Sequence, residues 1–208
     1  MGTTTRFTGQ AGVAKCYALS GRKELMKKIP TIFKRNPENM RELLKEQHPD
    51  CGWVFAGEGV ATRKYDGTCV KIENGQYFKR REVKRDKQAP PDFIEEQLDT
   101  NTGKRVGWVA VDPDAKDSRW HMEAFNNLQN QVDGTYELVG PKIQGNPEGY
   151  GLHTLVKHSE AEVFELVPRD FVGIANFMSS RDIEGIVFHH PDGRMCKIKK
   201  RDFGQKRA

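Results

Sequence analysis

Three dipeptides, Asp66-Gly67, Asn74-Gly75 and Asp192-Gly193, each stand between short runs of alternating apolar and polar residues. Asp-Gly and Asn-Gly accept the left-handed backbone of tight hairpins, so a chain punctuated in this way is committed to antiparallel β-structure. Residues 53–65, 68–73 and 76–83 read as successive strands of a meander with Lys64 at its head. Residues 183–190 and 194–201 read as a terminal hairpin. Residues 106–111, 135–139 and 152–166 supply further strand material.

Helical signals are fewer. Asn36 as N-cap, Pro37 at the first position and Met40, Leu43 and Leu44 on one face predict about three turns ending before Pro49. Short helices are expected over 22–29, 93–98 and 171–178. Ser118 caps another, with Trp120, Ala124, Phe125 and Leu128 at helical spacing. The loop from Gly140 to Gly151 is rich in Gly and Pro and long enough to suggest a function of its own. The expected class is α+β, antiparallel sheets flanked by helices. A single domain over 1–208 is expected, with a helical and loop part over 1–50 and a core over 51–204.

No apolar run approaches the ~18–20 residues of a membrane helix, and residues 1–10 are polar, so neither membrane insertion nor secretion is expected. Cys16, Cys51, Cys69 and Cys196 form no C-x-x-C pair. That argues against zinc and for a reducing compartment, the cytoplasm, with the nucleus also open. The formal charge is +5, concentrated at Lys79-Arg80-Arg81, Lys84-Arg85 and Lys197 onward. Such clusters suit a polyanionic partner, although charge alone fits a solvated surface equally well.

With a two-residue turn at Asp192-Gly193, Phe188 faces Lys197 and Ile186 faces Lys199. Alternation then places Glu184, Ile186, Phe188, Lys197 and Lys199 on one face, and Gly185, Val187, Cys196 and Ile198 on a core side. One face thus offers a carboxylate, two ammonium groups and an apolar wall, which is what a nucleotide with a bound cation needs.

Alone, Lys64-Tyr65-Asp66-Gly67 is weak evidence: K-x-D-G arises by chance in roughly one chain in twenty of this size. Four motifs in order are not weak. After it come Glu137 in Tyr136-Glu137-Leu138-Val139-Gly140, then Glu184-Gly185-Ile186-Val187, then Lys197-Ile198-Lys199. The series resembles the covalent nucleotidyltransferase superfamily of ATP-dependent RNA and DNA ligases and mRNA capping enzymes. Lys64-Tyr65-Asp66-Gly67-Thr68-Cys69, Ile143-Gln144-Gly145-Asn146-Pro147 and Ile183-Glu184-Gly185-Ile186-Val187-Phe188-His189 bring it nearest to the eukaryotic-type 5′-3′ RNA ligases, a family with a vertebrate member. The similarity runs over residues 28–204.

The resemblance implies an ATP-grasp-like ligase adenylation (nucleotidyltransferase) domain. It also implies a monomeric RNA ligase, with Lys64 as the nucleophile that carries AMP. Glu184 would bind Mg²⁺ or Mn²⁺, and Lys197 and Lys199 would grip the α-phosphate. Glu137 and Arg80 would contact the ribose, the backbone at Thr62 the adenine, and Arg63 the pyrophosphate. Ile186, with Phe188, is the wall expected from alternation. The partner would be RNA with 5′-phosphate and 3′-hydroxyl ends. About nine residues follow Lys199, so no OB-fold is expected after it, which speaks against a DNA ligase or a guanylyltransferase. A basic RNA-binding relative with a dead pocket is the remaining rival, opposed by the survival of every charged motif member.

Overall fold

Asn74 (φ 53°) and Gly75 (φ 73°) both adopt the left-handed backbone, as a type I′ hairpin demands, and close the pair Glu73↔Gln76. The computed structural model describes residues 29–207. Their strands are β1 (Phe33–Arg35), β2 (Leu43–Gln47), β3 (Val60–Lys64), β4 (Thr68–Glu73), β5 (Gln76–Val83), β6 (Ile94–Asp99), β7 (Lys104–Ala110), β8 (Gly134–Val139), β9 (Thr154–Lys157), β10 (Val163–Phe164), β11 (Gly185–His189) and β12 (Met195–Lys199). Three α-helices, α1 (Gly52–Phe55), α2 (Arg119–Asn126) and α3 (Phe171–Ser179), complete an α+β architecture.

The strands form two main antiparallel sheets, ordered β10-β3-β11-β12 and β6-β7-β5-β4-β8-β9, beside the small pair β1-β2. Each main sheet has its own core. Behind the four-stranded sheet, Ile186, Phe188, Cys196 and Ile198 pack with Trp53 and Val54 of α1, Ile174 and Met178 of α3, and Ile32 and Phe33. Behind the six-stranded sheet, Val70, Ile72, Tyr136 and Leu138 pack against Ala124 and Phe125 of α2. The ring of Phe125 stacks on Tyr77 at 4.8 Å.

The Asp66-Gly67 dipeptide does not turn a hairpin. β3 belongs to one sheet and β4 to the other, so residues 65–67 carry the chain between sheets and Lys64 stands at their junction. The expected meander therefore begins at β4. Gly67 is required by crowding and not by its own φ: a Cβ there would collide with the carbonyl oxygen of Leu138 in β8.

The terminal hairpin corrects the register read from sequence. His190 N–H donates to Arg194 (2.9 Å) and Gly193 N–H to His190 (2.9 Å), so the loop is Pro191-Asp192-Gly193, with Gly193 at φ 94°. One extra loop residue shifts the register to Ile186↔Ile198, Val187↔Lys197 and Phe188↔Cys196. A one-residue shift sends the affected side chains to the opposite face. Ile186 and Phe188 are fully buried in the core, and Val187 and Gly185 share the other face with Lys197 and Lys199.

Other expectations also fail. Asn36 starts a turn between β1 and β2, where its carboxamide accepts from Glu38 N–H (3.0 Å) and its own N–H donates to Glu42 (3.0 Å). Asn-Pro signals a turn as readily as a helix start, and Met40 is 63% exposed, so no apolar helical face exists. Within residues 29–50, the described part of the expected helical and loop region 1–50, a strand pair stands in place of the helix. Residues 52–55 are helical, and the strand expected from Trp53 begins only at Val60, past Gly57 and Gly59. The helix over 93–98 is instead the edge strand β6, paired to β7 with a bulge between Glu95 and Gln97. Residues 152–166 divide into β9 and β10, which join different sheets. The short helices at 119–126 and 171–179 form as expected, although the Ser118 hydroxyl makes no capping bond. The helix over 22–29 falls, but for Ile29, outside the described residues.

Candidate active site

A cleft of about 790 Å³ opens between the two sheets, lined from one side by β3, β11 and β12 and from the other by β4, β5 and β8. Alternation decides which side chains enter it. On the four-stranded sheet, Lys64 pairs with Gly185, which pairs with Lys199; Thr62 pairs with Val187, which pairs with Lys197. On the six-stranded sheet, Cys69 pairs with Glu137. Arg80 and Glu82 of β5 also line the cleft. Arg81, between them, points to the opposite face.

Lys64 and Lys199 converge on one carboxylate. Glu184, just before β11, pairs with Lys64 through Oε2 and with Lys199 through Oε1 at 2.5 Å. Only 19% of the Lys64 side chain, 18% of Lys199 and 11% of Glu184 is exposed. Lys64 is therefore not a solvated surface charge. Burial works against ionised Glu184, but the two ammonium groups more than offset it and hold its carboxyl below the usual range. Burial and the adjacent Glu184 push Asp66 the other way, against Lys64, Lys199 and Arg207. Lys197 is depressed to about 8, first by burial and then by the neighbouring cations Lys199, Lys64 and Arg80.

Across the cleft, Glu137 Oε1 accepts from Gly67 N–H (3.1 Å) and Oε2 meets His158 Nε2 (3.1 Å), while His158 Nδ1 meets the Thr135 hydroxyl (3.0 Å). Arg80 is exposed at the cleft wall, with no carboxylate at ion-pair distance among the described residues. Thr62 lies in an interior strand between β10 and β11, so it offers the cleft its side chain. Its hydroxyl lies 3.0 Å from His189 Nε2 and 3.3 Å from the Val187 carbonyl. Arg63 is held by Glu148 (2.7 Å) and Glu162 (3.3 Å). Burial opposes its charge and the carboxylates restore it, leaving its pKa above the ordinary value.

The structure thus gathers Lys64, Thr62, Arg63, Arg80, Glu137, Glu184, Lys197 and Lys199 around one cleft and removes Ile186 from it. Val187 occupies the apolar position instead. His158 and Glu148 escaped the sequence reading, and His189 entered it only as the end of a motif, with no role assigned. Only the register of β8 against β9 and of β3 against β11 brings the two histidines to the cleft.

Glu184 pairs with both lysines and Asp66 lies within electrostatic reach of them, and no group of three or more metal-ligating side chains occurs among the described residues. A hard divalent ion commonly takes one or two carboxylates and completes its shell with substrate phosphates and water. The residues present fit that manner of binding and not a closed structural site.

A family model described as RNA ligase 1 matches residues 124–207, the part of the chain that contains Glu137, Glu148, Glu184, Lys197 and Lys199. RNA ligase 1 of Mus musculus is 26% identical over 218 aligned positions, covering 70% of this chain and 67% of the relative. RNA ligase 1 of Danio rerio is 27% identical over 136 positions, covering 50% and 42%. The Rattus norvegicus protein of that name is 25% identical, covering 70% and 67%. The match thus spans about two thirds of the rodent relatives and less than half of the fish one. At modest identity but in mutual agreement, these similarities support a relation to the RNA ligase 1 family.

Proposed function

We propose that the chain is an ATP-dependent RNA ligase that joins 5′-phosphate and 3′-hydroxyl ends through lysyl-AMP and RNA-adenylate. The observation that carries this reading is the half-buried Lys64 amine, held by Glu184 beside Lys199 in a cation-lined cleft between two sheets.

In the first step the Lys64 Nζ lone pair attacks the α-phosphorus of ATP. A P–N bond forms, the bond to the bridging oxygen breaks, and pyrophosphate leaves. A lysine needs a free lone pair to attack, so the Lys64 ammonium must give up a proton to solvent and release Glu184 before it reacts, and a second amine proton leaves as the P–N bond forms. Lys197 and Lys199 neutralise charge growing on the phosphoryl oxygens; such preorganised charge costs no reorganisation during reaction. In the second step an oxygen of the RNA 5′-phosphate attacks the same phosphorus and breaks the P–N bond. The 3′-hydroxyl then attacks the 5′-phosphate and expels AMP.

Glu137 and Arg80, on the same sheet with β4 between their strands, would contact the ribose, and Thr62, His189 and Val187 would border the base. Glu184 and Asp66 would hold Mg²⁺ or Mn²⁺, which when bound supplies charge neutralisation at the phosphates. Incubated with ATP and Mg²⁺, the chain should gain the mass of one AMP, and Lys64→Met should not. No adduct with any of four nucleoside triphosphates, in Mg²⁺ or Mn²⁺, would refute the enzyme reading in favour of an inactive RNA-binding relative. An adduct with GTP, or sealing of DNA ends alone, would favour a guanylyltransferase or a DNA ligase.

A further inference from the structure

The loop between β8 and β9 sends one carboxylate back to the nucleophile. Glu148 Oε1 accepts from Asp66 N–H (2.9 Å) and from Arg207 Nη1 (2.8 Å), and Oε2 accepts from Arg63 Nη2 (2.7 Å). Its side chain is 1% exposed. Arg63 immediately precedes Lys64, and Asp66 is two residues beyond it. One buried carboxylate therefore grips the chain on both sides of the amine. The Arg63 guanidinium also lies against the ring of Tyr65, 5.2 Å from its centre. Arg207 closes the arrangement from outside, donating to the Pro147 carbonyl (2.6 Å) and to Asp182 (2.9 Å).

We infer that Glu148 is a positioning residue for the Lys64 reaction: it fixes the 63–66 segment, and so the line along which the amine meets phosphorus, without touching the nucleotide. The inference rests on the proposed lysine chemistry for its kinetic consequence, but not for its structural one. Arg63 and Lys64 are paired to Ile186 and Gly185 of β11, but residues 65–67 leave that ladder to pass between the sheets. Beyond Lys64 no strand partner sets the backbone, and Glu148 is placed to set it through Asp66 N–H and to tie it to the Arg63 side chain. Reaction rates are steep in such placement, about 100-fold for ~1 Å.

The test uses the full chain and Glu148→Gln, which keeps an acceptor for Asp66 N–H but loses the charge that two guanidinium groups share. Three readouts are taken: single-turnover adenylylation of Lys64 at saturating ATP, ATP affinity in a Lys64→Met background, and amide exchange by peptide. The expected result is adenylylation slowed at least 10-fold, ATP affinity within about threefold, and faster exchange confined to peptides over 63–68. Adenylylation at the unsubstituted rate overturns the inference. So does an equal loss of ATP affinity, or faster exchange across β11 and β12, since either would make Glu148 a general structural support. If the unsubstituted chain forms no adduct, the ligase reading fails by itself. Exchange then decides alone: a local rise supports the positioning role, and no rise overturns it. Should Glu148→Gln not fold, Arg207→Gln removes one donor from outside the same carboxylate. A several-fold slowing there supports the inference, and an unchanged rate overturns it.

Discussion

Exchanging the roles of Ile186 and Val187 makes the register of the terminal hairpin testable. Ile186 is fully buried among Phe188, Ile198 and the residues of α1 and α3, while its neighbour Val187 is half-buried at the cleft. Ile186→Ala removes three carbons worth about 0.8 kcal/mol each in transfer, and the cavity left behind raises the cost to about 2–5 kcal/mol. For a chain of this size each kcal/mol lowers Tm by about 2–4 °C, so a fall of about 4–20 °C is expected. Val187→Ala, partly solvated already, should cost about 1 kcal/mol or less. Urea denaturation at constant m-value measures both. ATP titration well below either transition should show the reverse order: Ile186→Ala close to the unsubstituted protein, Val187→Ala several-fold weaker. If Ile186→Ala is as stable as the parent but binds ATP poorly, the three-residue loop is wrong, and Ile186 returns to the cleft.

Lys197 offers a pH test. Its folded pKa of about 8 lies below the ordinary 10.5, so over that interval the unfolded chain holds a proton the folded chain has released. Stability therefore rises with pH there, and the penalty, on the order of 3 kcal/mol, is fully present below about pH 8. Lys197→Met should melt higher than the parent at pH 7, lose that advantage by about pH 10, and adenylylate poorly throughout. Near pH 8, ATP binding should take up protons as its phosphates raise the Lys197 pKa, visible in calorimetry across buffers of different ionisation heat. Gly67→Ala should destabilise by about 1–3 kcal/mol, because the new Cβ meets the Leu138 carbonyl. It should also slow adenylylation by 10-fold or more, and a neutral outcome would remove the crowding argument. Arg80→Ala should raise the KM for ATP by about 10-fold with little change in Tm, whereas Arg81→Ala, on the opposite face, should change neither.

The sequence by itself determined the turn at Asn74-Gly75, the α+β class with antiparallel sheets, and the relation to RNA ligases through its ordered motifs. Those signals are local: dihedral preference, alternation, and residue identity at short spacing. The tertiary structure decided the rest. Pro191-Asp192-Gly193 accommodates a two- or a three-residue loop equally well on paper, and only the hydrogen bonds of His190 choose, sending Ile186 to the core. Asp66-Gly67 looks like any hairpin turn until β3 and β4 are seen to enter different sheets. Asn36-Pro37 suits a helix start or a turn, and the missing apolar face settled it. Glu148 lies 84 residues after Lys64, so no window of sequence could link them. A contact between distant segments depends on how two sheets pack, and packing energy is a property of the whole folded chain.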